Sequence, residues 1–299
     1  MTAGQRAAGR SGPSALRPVA VNLLGVVEQP AFGDSPYRVD RDGRPYVPVG
    51  DGGIVLGLQL GDSVYGLAGD HAAPGACLVH PDPASRHALA SYACIGNPVR
   101  VRTGAAVGAA GVVLGQRGEA GRVIVGLGQS DLGRIRPGDE VAVRACGQGF
   151  RPPGLPADVQ IMNLDPALLD RLPVQLPDEA DGAGAPVTVG VRMSVPSRLA
   201  GNGIGRPAVA WDLDLQLAPP GPGELLLGDL VAVADIDARY NVGYRRGWVT
   251  VGVVGHGASP LPGHGPGITP ILTGPAAALR VAADPAGHVG LTGAMVQLQ

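Results

Sequence analysis

The residues able to do chemistry are unevenly spread along the chain. Asp235, Asp237, Arg239, Arg245, Arg246, Tyr240, Tyr244, His256 and His264 all fall within 226–273, a stretch otherwise built of Gly, Val and Leu. Polar groups set into apolar strands need a reason, because burying them unpaired costs free energy. Asp235 and Asp237 are two apart in AVADIDARY, which on a strand puts both on one face. With His256 and His264 they make a carboxylate and imidazole set suited to Zn²⁺, Mn²⁺ or Fe²⁺. The same acids have bland partners in Arg239, Arg245 and Arg246, which can neutralise them as ion pairs.

The segment GHGPGITP (263–270) is the most unusual. Glycine permits close approach of a ligand to the main chain, and proline stiffens the loop. His264 is therefore a candidate acid, base or metal ligand. Gly265, Gly267 and Thr269 are candidate substrate contacts beside it, together with Arg239, Arg245, Arg206 and Tyr240. The other reading of the loop is a structural turn carrying a surface imidazole.

In the first half, the adjacent pair Asp70-His71 sits in a turn-like GDHAAPG. A carboxylate next to an imidazole can orient it or donate to a cation, or merely cap a turn. Packed face to face, the two halves would let this pair close a shared cleft. GNGIGR (201–206) runs toward another strand pattern and not into a helix, so it is no dinucleotide fingerprint. It is either a glycine turn or a loop that holds an anion with its amides and Arg206. Cys94 lacks a visible base or an electropositive setting, so a buried core thiol is the reading for it.

Composition narrows the chemistry further. All 23 cationic side chains are arginines. Without lysine there is no Schiff base for pyridoxal phosphate and no phosphate-loop lysine; NAD is likewise not expected. A formal charge of −2 gives no footprint for nucleic acid or an anionic membrane. Three dispersed cysteines argue against a disulfide framework or a cysteine zinc site. With no apolar run approaching a membrane span, the expected setting is cytoplasmic.

The elements that must position these residues are strands. Forty-nine glycines and 29 prolines punctuate a chain that is still 45% hydrophobic but only 3% aromatic, which describes short strands, many turns and a Val/Leu/Ile/Ala core. Asp42-Gly43 marks a hairpin. LGDSVYG, PGDEVAV and LGDLVAV each place Gly-Asp in a turn before a Val-rich strand. Residues 104–127 resemble the glycine-spaced KOW hairpin, read as a barrel element with RNA contact as the alternative. Asp165 and Pro166 begin a short helix as N-cap and first helical residue. The predicted fold class is mainly β (β-rich α+β): two small barrel- or sandwich-like units with few short helices. The expected organisation is a disordered tail at 1–17, an N-terminal β-rich domain at 18–155 and a C-terminal β-rich domain at 156–299.

PYRVDRDGRPYV, GDHAAPG, YACIGNPV, GDEVAVRACGQG, MNLDP, GNGIGR, GDLVAVADIDARY with YRRGWVTVGVV, and GHGPGITPILTG together resemble an uncharacterised prokaryotic family, domain of unknown function 4438, over about residues 20–275. The resemblance implies membership and a cytosolic setting but brings no reaction, cofactor or catalytic residue. The leading functional expectation is a small-molecule enzyme, a hydrolase or lyase acting on a carboxylate-bearing metabolite, with a divalent metal as an option. His264 would act as acid or base, with His256 and Asp235 or Asp237 orienting it or holding the metal. Alternatives are a non-catalytic binder of anionic small molecules and RNA binding through the KOW-like hairpin. Edge strands in a β-rich chain make a homo-oligomer reasonable.

Overall fold

The computed structural model describes residues 15–178, 184–217, 225–284 and 287–298. Most of the expected tail lies outside these residues; within them, Leu16 already forms an antiparallel bridge with Arg151.

Nine strands come from the first half: β1 (Val21–Val27), β2 (Arg38–Val39), β3 (Pro45–Tyr46), β4 (Ile54–Val55), β5 (Gly75–Val79), β6 (Pro98–Val101), β7 (Ala110–Arg117), β8 (Arg122–Leu127) and β9 (Glu140–Ala145). Six of them run in the order β1-β9-β6-β7-β8-β5, and β5 pairs back onto β1, closing a barrel. Closure leaves these six strands no free edge. The alternation expected of such strands is plain in β9, where Val141, Val143 and Ala145 are buried and Arg144 is exposed. The barrel interior is filled mainly by valine, with Leu78, Leu89, Leu127, Leu132 and Ile135. Aliphatic packing thus replaces the missing aromatics.

The second half supplies β10 (Gln160–Ile161), β11 (Val174–Gln175), β12 (Val187–Val191), β13 (Met193–Pro196), β14 (Leu213–Asp214), β15 (Leu230–Asp237), β16 (Gly243–His256), β17 (Gly267–Pro275) and β18 (Leu279–Ala283). Its main sheet runs β10-β17-β16-β15-β13, with β14 also on β17, and β11-β12-β18 form a smaller sheet. Val112, Leu114 and Ile124 of the barrel share one apolar cluster with Val251, Val253, Ile271 and Leu272. The two halves therefore pack through a continuous core. Among the described residues no helix is long and apolar enough to cross a membrane.

The three Gly-Asp turns share one construction. Gly61, Gly138 and Gly228 all have φ near +90°, which favours glycine. Asp62, Asp139 and Asp229 each accept a hydrogen bond from the N–H three residues earlier, at 2.8 Å in every case. These carboxylates close turns, as the repeated pattern implied.

The Asp42-Gly43 hairpin forms between β2 and β3, across a loop of residues 40–44 that Asp40 ties by accepting from the N–H groups of Asp42 and Arg44. The KOW-like segment is the β7–β8 hairpin of the closed barrel. Its cations are already paired: Arg117 is buried against Asp51, and Arg122 bonds Glu28. Asp165 caps the short helix Pro166–Leu169 as expected. A longer helix, α1 (Pro83–Tyr92), also begins with an Asp-Pro pair, Asp82 accepting from the Ser85 N–H. Sequence reasoning passed over that second signal.

Candidate metal centre

Gly267 is the hub of the site. On one side it pairs with Asp214 of β14, and on the other with His256, the last residue of β16. A β-carbon here would overlap the His256 ring, so glycine is what lets the imidazole lie across β17 toward the two carboxylates of Asp212 and Asp214. Glycines perform the same service nearby. A side chain at Gly201 would strike the Gly263 carbonyl, one at Gly203 the Asp212 carbonyl, and one at Gly265 the Leu215 carbonyl. GNGIGR is thus a buttress that presses the backbones bearing Asp212 and His264 together. The tip of the β7–β8 hairpin joins them, since the Gly118 N–H donates to Asp212 Oδ1 at 2.9 Å.

His71 reaches the same point from the first half. Its φ is +49°, a left-handed conformation uncommon for a residue with a side chain, and its ring is fully buried. Strain of this kind persists where the surroundings over-determine it, often at functional sites. Asp70 Oδ1 stands 2.7 Å from His71 Nδ1, off the line of an ideal hydrogen bond. Asp70 Oδ2 accepts from Tyr46 Oη at 2.8 Å and from Arg38 at 2.9 Å, and Arg38 continues to Asp51, which also holds Arg117 and Arg122.

At the centre, His71 Nε2 lies 3.0 Å from His264 Nδ1 and 3.6 Å from Asp214 Oδ2, and His264 Nδ1 lies 2.8 Å from that oxygen. On the other side of the carboxylate, His256 Nε2 is 2.8 Å from Asp212 Oδ2 and 3.3 Å from Asp214 Oδ1. Glu119 Oε1, 3.6 Å from His264 Nδ1, stands on the more open side and accepts from the Asn202 side chain. His264 and Glu119 are part-exposed, whereas Asp214 is only 2% exposed.

The electrostatics follow from this crowding. Burial pushes the Asp214 carboxyl up, but hydrogen bonding to His256, His264 and His71 outweighs it and holds the group well below the ordinary carboxylate range. Desolvation opposes charge on His256, yet the Asp212 and Asp214 carboxylates win and lift it to about 10. His264 is raised chiefly by its bond to Asp214. Asp70 is depressed despite burial, through His71, Ser259 and Tyr46.

Among the predicted site residues, Asp70, His71, His256 and His264 converge here. Asp235 and Asp237 do not. Their shared face requires unbroken alternation, and β15 carries a bulge at Asp235, whose φ is +59°. Asp235 accepts from the Gly247 N–H, and Asp237 is held by Arg239 and Arg245. Asp237 pairs with Gly243, at the opposite end of β16 from His256, roughly 40 Å of extended strand away. Arg239 and Arg245 stack on Trp248 at 4.0 and 4.2 Å, and Tyr240 is 80% exposed. None of these three is placed to clamp a ligand at the histidines. Thr269 is internal, its hydroxyl accepting from the Gln116 N–H; Gly265 and Gly267 serve close packing. Cys94 is buried, its thiol pushed up to about 12 by desolvation and by Asp165, as a core residue would be.

Arg206 is better placed. It stacks on Trp211 at 4.6 Å and lines a cavity of about 550 Å³ with Arg86, His87, Gly118, Glu119 and Trp211. That cavity meets the cluster at Glu119. Sequence reasoning missed Asp212, Asp214 and Glu119. WDLDLQL held a usable signal, two acids spaced as on one strand face beside a glycine-rich loop.

The fold and the cluster define a β-rich protein with a histidine and aspartate centre assembled from both halves of the chain. Residues 37–170 match the N-terminal domain, and residues 171–291 the C-terminal domain, of the family described as Domain of unknown function (DUF4438); the chain belongs to that family. It is similar to a solved structure described as "Crystal structure of TM1086", with a TM-score of 0.84 and 35% identity, over 92% of this chain and 98% of that one. No curated protein matches.

Proposed function

We propose that this protein is a metal-dependent small-molecule enzyme, a hydrolase or lyase, with a divalent ion held by His71 Nε2, His264 Nδ1 and Asp214 Oδ2. The observation that carries this reading is the separation of those three atoms, 2.8–3.6 Å. Ligands on one ion at bonds of about 2.1 Å lie about 3.0 Å apart in an octahedron and about 3.4 Å apart in a tetrahedron. Burial of the His71 and His256 imidazoles against the Asp212 and Asp214 carboxylates is otherwise costly. Asp70 would supply the outer partner that fixes the His71 tautomer and strengthens its donor nitrogen.

Such an ion lowers the pKa of bound water to about 7 and polarises a substrate oxygen. Glu119, on the open side, would take the proton. The adjoining cavity suits a small metabolite. Arg86 and Arg206 line it, and neither is paired with a carboxylate among the described residues, which favours a carboxylate-bearing substrate.

The test is turnover of a panel of carboxylate-bearing esters, lactones, amides and hydroxy acids with Zn²⁺ or Mn²⁺ supplied. Wild type should convert one class, and His264→Ala should lose that conversion with its fold retained by circular dichroism. Conversion by the variant at the wild-type rate would remove His264 from the mechanism. Carboxylates that stabilise the protein yet stay chemically unaltered would favour a binding protein instead.

A further inference from the structure

We infer that the centre takes a second divalent cation, bound by His256 Nε2, Asp212 Oδ2 and Asp214 Oδ1, so that Asp214 bridges two ions. This rests on the metal reading above. His256 Nδ1 faces the Gly257 carbonyl at 2.9 Å, which occupies that nitrogen and leaves Nε2 as the one facing two carboxylate oxygens, 2.8 and 3.3 Å away. A cation there would take the place of the Nε2 proton and draw the three donor atoms onto itself. Asp214 Oδ1 is buried and receives no well-aligned hydrogen bond. The separations bracket the edge of about 3.0 Å expected for an octahedral ion with bonds of about 2.1 Å.

One ion cannot serve all the donors. His71, His264 and Asp214 form one group whose ligand atoms lie within 4.8 Å of one another, and Asp212, Asp214 and His256 form another. Atoms on a single ion stay within about 4.2 Å, twice the bond length, and His256 does not join the first group. The third convergence, Asp51 with Asp70 and His71, is already neutralised by Arg38, Arg117 and Arg122.

Charge points the same way. With the rings neutral, as metal ligands must be, Glu28, Asp51, Asp70, Glu119, Asp212 and Asp214 are set against only the guanidinium groups of Arg38, Arg117 and Arg122, so three negative charges remain. One dication leaves an excess; two dications with a bridging hydroxide balance it. Paired ions about 3.5–4 Å apart stabilise both the attacking and the leaving oxygen of a displacement. The favoured substrate is therefore one whose reacting oxygen can bridge them, an ester or amide carbonyl. Because His256 and Asp212 are buried and His264 is part-exposed, the His256 ion is the inner one.

The experiment is Mn²⁺ titration of the chelator-treated full-length protein, read by equilibrium dialysis and electron paramagnetic resonance. Wild type should bind two ions per chain with a spectrum broadened by exchange coupling. Asp212→Asn and His256→Gln should bind one ion and show the hyperfine-split signal of isolated Mn²⁺. Saturation of wild type at one uncoupled ion that is lost in His264→Ala would overturn the second site and leave the proposed function standing. Two uncoupled ions, or undiminished stoichiometry in a folded Asp212→Asn protein, would also overturn it. No binding at all would remove both readings. The wild-type spectrum decides the matter even if a variant fails to fold.

Discussion

The two ends of β16 meet the problem of polar groups on apolar strands in opposite ways. At the Gly243 end of β16, Asp237 lies between Arg239 and Arg245, and both arginines rest on Trp248. Asp237 and these two arginines are partnered within the same hairpin, and the arginines are part-exposed. At the His256 end, carboxylates outnumber arginines and the balance falls to three imidazoles drawn from distant parts of the chain. The first arrangement is complete as it stands. The second lacks arginines and leans on its imidazoles, and under the proposed function a cation would take over that role. Density of titratable residues in the sequence therefore does not mark the candidate site; the imbalance of arginines and carboxylates after folding is what proposes it.

The comparison is broken most severely at Asp214. Asp214→Asn should weaken Zn²⁺ or Mn²⁺ binding by at least about a hundredfold, since it strips charge from the group that touches all three imidazoles; calorimetric titration reads this directly, and wild-type affinity in the variant would contradict it. Asp70→Asn acts one step back, through His71, and should cost about 10–100-fold in affinity. A variant indistinguishable from wild type in the same titration would limit Asp70 to capping its turn.

The pH response sharpens the contrast. His256 and His264 are raised above their ordinary 6.5 in the metal-free protein, His256 to about 10. Their contribution to stability is therefore full below about pH 6.5 and is lost as pH rises toward 10. Metal binding needs the rings deprotonated and strengthens in the same direction. Chelator-treated protein should thus lose Tm between pH 7 and 10, while Zn²⁺-loaded protein should hold it. Parallel melting curves for the two forms would count against the assignment. The smallest effect is expected at the far end. Arg245→Ala removes a half-exposed ion pair and should cost about 0.2–1 kcal/mol, with metal affinity unchanged; a lowered affinity would show that the two ends are coupled.

What was legible in the sequence follows from the range of the interactions. Gly-Asp turns, the Asp42-Gly43 hairpin and the Asp165-Pro166 helix start are local, each settled within a few residues, and each formed. His71 and His264 were nameable because a histidine beside glycine or aspartate is unusual in so apolar a chain. Asp212 and Asp214 were not, because their importance comes from β14 pairing with Gly267, more than fifty residues on. The choice of Asp235 and Asp237 assumed strict alternation along β15, which the bulge at Asp235 interrupts. Barrel closure was equally out of reach, since it depends on β1 meeting β5 and β9 at once.

The most direct test of the central claim is elemental analysis of the purified full-length protein, incubated with Zn²⁺, Mn²⁺ or Co²⁺ and freed of excess ion, beside Asp214→Asn treated in the same way. The account predicts at least one tightly held transition-metal ion per wild-type chain and little in the variant. A wild-type protein that retains none of the three metals, or a folded variant that retains as much as wild type, would contradict it.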